Sequence, residues 1–127
     1  MNGNEVLKLA YDILSESEAD NADFTGFAPG ILTVLLAETF AANNNLRLSK
    51  GLEELTEMPL ITAETMTEDL PYEQELLLTA LPYGICEKYA DSDGDTARTG
   101  YFNSLYVNAV NYCLRGISQE NGVVDLY

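Results

Sequence analysis

The sequence predicts a mainly α fold, a small bundle of about four helices, and three observations lead there. Apolar residues recur at i, i+3, i+4 and i+7 in several separate segments. Between those segments stand Gly, Pro, Asn and Asp, the residues that end helices and make turns. A chain of 127 residues with a 46% apolar fraction is one domain by length and large enough for a single hydrophobic core.

The elements follow in order. Asn4 is placed to cap a first helix over 5–16, with Glu5 near the positive end of its dipole. Val6, Leu9, Ala10, Ile13 and Leu14 fall on one face of it. The run Ser15 to Phe27, rich in Asp, Asn, Ser and Gly, reads as a loop. Pro29 suits the first turn of a second helix, where its missing N–H costs nothing. Ile31 to Phe40 is apolar almost all round, the mark of a helix central to its domain or to a subunit contact. Asn43, Asn44 and Asn45 favour an end there, with Leu46 and Leu48 able to add one turn.

Residues 49–71 break the helical pattern. Lys50-Gly51, Met58-Pro59, the Thr-rich run from Thr62 to Thr67 and Leu70-Pro71 interrupt any long helix. Leu60, Ile61 and Thr62 suit a short strand. From Gly51 to Glu87 there are nine acidic residues and no basic one, so residues 51–70 are expected to form a protruding acidic loop or short β-hairpin. After Pro71 the stripe Leu76, Leu77, Ala80, Leu81 and Ile85 is helical again, with Pro82 expected to kink or break it. Asp91 to Asp95 reads as a tight polar turn. Phe102, Leu105, Tyr106, Ala109, Val110 and Cys113 mark a last helix that Gly116 should end. The division expected is therefore a helical domain over 1–116 and an extended tail over 117–127. Val123, Val124, Leu126 and Tyr127 make the end of that tail β-prone, a candidate docking segment able to add a strand to a neighbouring sheet, the alternative being a tail folded back on its own domain or frayed.

Charge narrows the function. Six basic residues against twenty-one acidic ones give a formal net charge of -15. Such a surface repels nucleic acid and anionic membrane and keeps a chain soluble. Lys8, Arg47, Lys50, Lys88, Arg98 and Arg115 are scattered and form no basic stripe interleaved with aromatics. The N-terminal residues lack a basic region followed by an apolar run, so no secretory signal is expected. The uncharged run Phe27 to Ala37 is shorter than the roughly 20 residues a membrane span needs.

The chain contains no histidine, which removes serine and cysteine triads, histidine acid–base work and nearly all catalytic zinc sites. No phosphate-binding glycine loop is present. Asp91, Asp93 and Asp95 alternate as calcium ligands do, but Gly94 and Phe102 stand where such a loop needs other residues. Cys86 and Cys113 sit in apolar helical patterns and read as reduced core thiols. No catalytic, cofactor-binding or metal-ligating residue is assigned, and the chain is expected not to be an enzyme. Six of the eight tyrosines lie between Tyr72 and Tyr112, too many for one buried stripe. Tyr72, Tyr83 and Tyr101 are the candidate interface aromatics, since tyrosine is enriched where proteins meet.

From Leu70 onward the pattern Asp69-Leu-Pro-Tyr-Glu, Ala80-Leu-Pro-Tyr-Gly, the acidic turn at Asp91 to Asp95 and Tyr101-Phe-x-x-x-Tyr resembles small phage and prophage head–tail connector proteins. The match covers about half the chain; residues 1–68 agree with it only in element order. The resemblance implies a short helical bundle with a protruding loop, assembled in a ring, commonly of twelve copies, between portal and tail. Val123, Val124, Leu126 and Tyr127 would then belong to a portal-docking tail, and Met58, Leu60 and Ile61 to an inter-subunit or tail-side loop. The partners implied are copies of the chain itself, the portal protein and a downstream connector or tail protein. DNA would pass through without specific binding, with no membrane and no cofactor involved. The place implied is the head–tail junction of a virion, after synthesis in the bacterial cytoplasm. The competing expectation is an acidic inhibitor that mimics DNA and occupies a basic protein site.

Overall fold

The structure is a computed structural model that describes the backbone of residues 1–120 and the side chains of residues 1–114. Five α-helices make up the described chain, with no strand among the described residues: α1 (Gly3–Leu14), α2 (Ala22–Glu38), α3 (Phe40–Ser49), α4 (Leu81–Ser92) and α5 (Thr96–Glu120). A π turn over Leu76–Ala80 runs directly into α4, and 3-10 turns occupy Ala19–Asn21 and Glu64–Thr67. The helical bundle read from the periodicity is thus the observed architecture. Helix α4 occupies its centre, packed by α1, α2 and α5, while α3 lies against α5. Val6, Leu7, Leu32, Leu35, Leu36, Leu81 and Ile85 meet there and are fully buried.

Helix α1 starts two residues earlier than its sequence suggests. Asn2, not Asn4, is the cap: its Oδ1 accepts the Glu5 N–H at 2.9 Å, and Glu5 Oε1 accepts the Asn2 N–H at 2.9 Å. This reciprocal box satisfies two amides that the first turn leaves unpaired. At Gly3 a Cβ would come within 2.8 Å of Met66 Sδ, so the missing side chain lets Met66 pack against the start of the helix. The close approach needs glycine, despite its poor helix propensity.

Residues 22–27, expected as loop, belong to the first two turns of α2, and Pro29 lies inside that helix instead of opening it. Aromatic packing explains the difference. Phe24 meets Tyr89 edge-on at 5.1 Å and Tyr11 at 6.3 Å, while Tyr11 and Tyr89 meet at 6.3 Å. The Tyr11 hydroxyl pairs with Thr25 Oγ1 at 2.8 Å, and the Tyr89 hydroxyl donates to Asn21 Oδ1 at 2.8 Å. Such contacts outweigh a local preference for turn worth only fractions of a kcal/mol per residue.

The second expected helix is two. Thr39 Oγ1 donates back to the Leu35 carbonyl at 2.8 Å, and the axes of α2 and α3 diverge there by 57°. Back-bonding of this kind bends helices. The three asparagines do not end α3: Asn43 and Asn44 are buried within it. Pro82 stands in the first turn of α4, where regular α geometry resumes after a change of spacing in place of a break. A proline lacks the N–H for the carbonyl four residues back and crowds it. The preceding turn widens instead to π spacing, with the Leu81 N–H bonding the Leu76 carbonyl.

Gly116 does not end α5, whose backbone stays helical to Glu120. A lone glycine inside a helical pattern is tolerated when nothing else stops the helix. Residues 117–120 are therefore helical, where an extended tail was expected. Val123, Val124, Leu126 and Tyr127 lie outside the described residues. No single described helix is long and apolar enough to cross a membrane; α2 and α3 reach that length and composition only as a bent pair.

Candidate interaction surfaces

The segment after α3 is neither a hairpin nor a free projection. Side chains of α2 and α3 strap it down along most of its length. Arg47 Nε donates to the Glu53 carbonyl at 2.6 Å. The Asn44 amide accepts the Leu55 N–H at 2.7 Å and donates to the Leu55 carbonyl at 3.1 Å. Thr33 Oγ1 accepts the Ile61 N–H at 2.9 Å, and Asn43 Oδ1 accepts the Glu73 N–H at 2.8 Å. The far end pairs with the start of the chain, where the Leu70 N–H bonds the Met1 carbonyl at 2.9 Å and Asn2 bridges Asp69. These side chains supply the pairing that backbone amides would otherwise need from a strand.

Between the Leu55 and Ile61 straps the backbone carries Met58 and Leu60 outward, 59% and 75% exposed. Ile61, grouped with them from sequence, turns inward and packs against the core. Glu53, Glu54, Glu57, Glu64 and Glu68 lie on the same segment, all exposed.

The acidic stretch receives cations from α3. Lys50 Nζ lies 3.0 Å from Glu73 and 2.8 Å from Glu75, and Arg47 Nη1 lies 3.4 Å from Glu73. The hydrogen bond with Lys50 holds the Glu75 carboxyl below its usual range, and the same bond raises the Lys50 ammonium.

The tyrosines separate by burial. Tyr72 lies inside the chain's own core, its hydroxyl donating to the Leu36 carbonyl, and burial pushes it up to about 12. It is not available as an interface aromatic. Tyr83 is half-buried. Tyr101 is 60% exposed and rests edge-on against Phe102 at 5.2 Å. Tyr112, not singled out from sequence, is 70% exposed. Its spacing from Tyr101 was the available signal, because positions 101, 105, 108 and 112 share one face of a helix.

That face borders a groove of about 380 Å³ between the π turn with α4 and helix α5. Thr79 and Tyr83 form one wall; Leu105, Ala109, Tyr112 and Cys113 form the other. Its lining is almost wholly carbon. A second hollow of about 590 Å³ opens beside the start of α2, where Asp20, Asp23 and Asp93 stand near Phe24 and Phe27. An acidic hollow of this kind disfavours anions.

The Asp91 to Asp95 turn does not converge on a cation site. Asp95 Oδ1 accepts the Arg98 N–H at 3.0 Å and caps α5. No group of three residues able to hold a metal occurs among the described residues. Cys86 and Cys113 are free and buried. Burial pushes the Cys86 thiol up to about 12 and raises Cys113 as well, so both stay protonated and unreactive at neutral pH. No protein-family model, curated protein or solved structure matches the chain.

Proposed function

We propose that the chain is a structural adaptor of a phage head–tail connector, whose copies form a ring between portal and tail protein. The observation that carries this reading is the exposed apolar tip, Met58 and Leu60, carried between the anchored residues Leu55 and Ile61 on a strongly acidic chain. Ordering a loop so that it offers large apolar side chains to water is unfavourable unless a partner covers them. A tip on one face meeting a different surface on the next copy is a heterologous contact, which closes into a ring when the rotation permits. The resemblance of residues 69–106 to connector proteins supports the same reading. An acidic lumen would let DNA slide through, because carboxylates offer phosphates none of the counterion-release gain that basic surfaces provide.

The test is assembly. Purified full chain, imaged and weighed alone and with portal protein, should give closed rings. The double variant Met58→Asp and Leu60→Asp should leave the helical spectrum unchanged and reduce assembly by about tenfold or more, as loss of a central apolar contact does. Variant rings as abundant as those of the parent would sink the proposal. Capture of a nuclease or repressor through its basic site, with no ring, would favour the DNA-mimic reading instead.

A further inference from the structure

We infer that the carbon-lined groove between the π turn with α4 and helix α5 receives the Met58–Leu60 tip of a second copy of the chain. The inference rests on the adaptor reading in one respect, that the tip contacts another copy, and it adds the surface that the tip meets.

Charge selects the occupant. The tip belongs to residues 51–70, which carry six carboxylates and no basic residue. Like charges set face to face disfavour a contact, and a chain of net charge -15 offers such a segment few places to dock. Helix α5 is the exception. Thr96 to Gln119 is the longest run of the sequence without Asp or Glu. Arg98 stands two turns before Leu105 on the same side of that helix. Across the groove the carboxylate of Glu75 is already paired with Lys50 at 2.8 Å. An acidic segment therefore meets a surface that is neutral to positive.

The apolar parts match as well. Thr79, Tyr83, Leu105, Ala109 and Tyr112 wall a space of about 380 Å³, and Met58 and Leu60 stand exposed on the tip. Joining the two takes apolar surface out of water on both sides of the contact. The chain's own tip does not fill its own groove. No residue of 51–70 lines it, and the tip is tied to α3 through Leu55 and to α2 through Ile61. A knob and a hole at different places on one chain are matched between copies, head to tail.

Two blocked variants test the match. Met58→Asp with Leu60→Asp spoils the tip and keeps the groove. Asn108→Asp with Tyr112→Asp, both at exposed positions, spoils the groove and keeps the tip. In sedimentation runs over a range of concentrations, each variant alone should associate at least tenfold more weakly than the parent chain. Mixed in equal amounts, the two retain one intact tip and one intact groove. They should form one-to-one pairs and nothing larger. A photoreactive group at Leu60 of the otherwise unchanged chain should label Thr79, Tyr83, Leu105 or Tyr112 of another copy, a readout that does not depend on how the variants fold. A mixture that stays monomeric, with the label found elsewhere, would overturn the inference. A groove variant that assembles like the parent would overturn it and leave the adaptor reading standing, whereas a parent chain that stays monomeric even with portal protein would overturn both. Tip variants that still pair through α5 would replace it with an isologous contact of groove against groove.

Discussion

Asn44 does for the loop what a neighbouring strand does in a sheet. Its amide offers Leu55 one donor and one acceptor, 3.1 and 2.7 Å away. Asn44→Ala leaves both backbone groups of a half-buried residue without those partners. The expected loss is about 1–3 kcal/mol, read by urea titration. Cys86 sets a pH dependence. Its thiol ionises near 9.0 when exposed, and burial holds it neutral in the fold up to about 12. Across that window the unfolded chain binds fewer protons than the folded one, so stability falls as pH rises. Tyr72 adds to the decline between 10.0 and about 12. Urea titrations at successive pH steps should show this fall, and Cys86→Ala should make it shallower. None of these roles is visible at the residues themselves. An asparagine in a helix reads as a weak helix former, and only the position of Leu55 makes it a strap.

At the scale of elements, the packing of α4 against α2 and α5 turns on Gly84. A Cβ there would stand 2.8 Å from Leu35 Cδ2 and 3.1 Å from Tyr106 Cε1, and Leu35 is itself buried. Gly84→Ala gains about 1 kcal/mol of helix propensity. It loses about 1–3 kcal/mol to overpacking, so thermal melts should show net destabilisation. Gly100→Ala, with open space around it in α5, should stabilise by about 0.5–1 kcal/mol. The apolar stripe from Leu76 to Ile85 was legible in the sequence because it is recorded within a few turns, whereas α1 buries Leu7 and Tyr11 and leaves Ile13, expected on its apolar face, exposed. The start of α2 was not legible. Its Asp, Asn and Gly spell a loop, and the Phe24 contacts that overrule them come from Tyr11 and Tyr89, the latter 65 residues away. The strapped loop was misread for the same reason. Residues 51–70 carry turn and strand signals but no record of Thr33, Asn43 or Asn44 beneath them.

For the whole molecule, the net charge of -15 acts against compactness as well as against association. Salt screens exposed charges over a Debye length of about 10 Å at 0.1 M. Screening of the partly exposed Lys50 pairs costs at most about 1 kcal/mol, which is all that such pairs are worth. Tm should therefore rise with salt; a gain of about 1 kcal/mol corresponds to roughly 4 °C in a chain of this size. A calorimetric scan in which Tm falls with salt would mean that specific ion pairs outweigh the overall repulsion. The same charge makes the apolar tip and the groove informative, since each is a local exception to an acidic surface. Of the sequence-derived sites, Met58, Leu60 and Tyr101 are exposed, Tyr83 lines the groove, Ile61 is half-buried against the core, and Tyr72 belongs to the interior.

The sequence alone determined the helical class, most of the buried stripe residues and the charge, because periodicity and composition are properties of neighbouring residues. Tertiary structure decided where α1 and α2 begin, how Pro82 is accommodated, what holds the loop and which tyrosines face out. Those outcomes depend on side chains that meet across tens of residues, and packing energies of several kcal/mol there exceed the local preferences of any one segment.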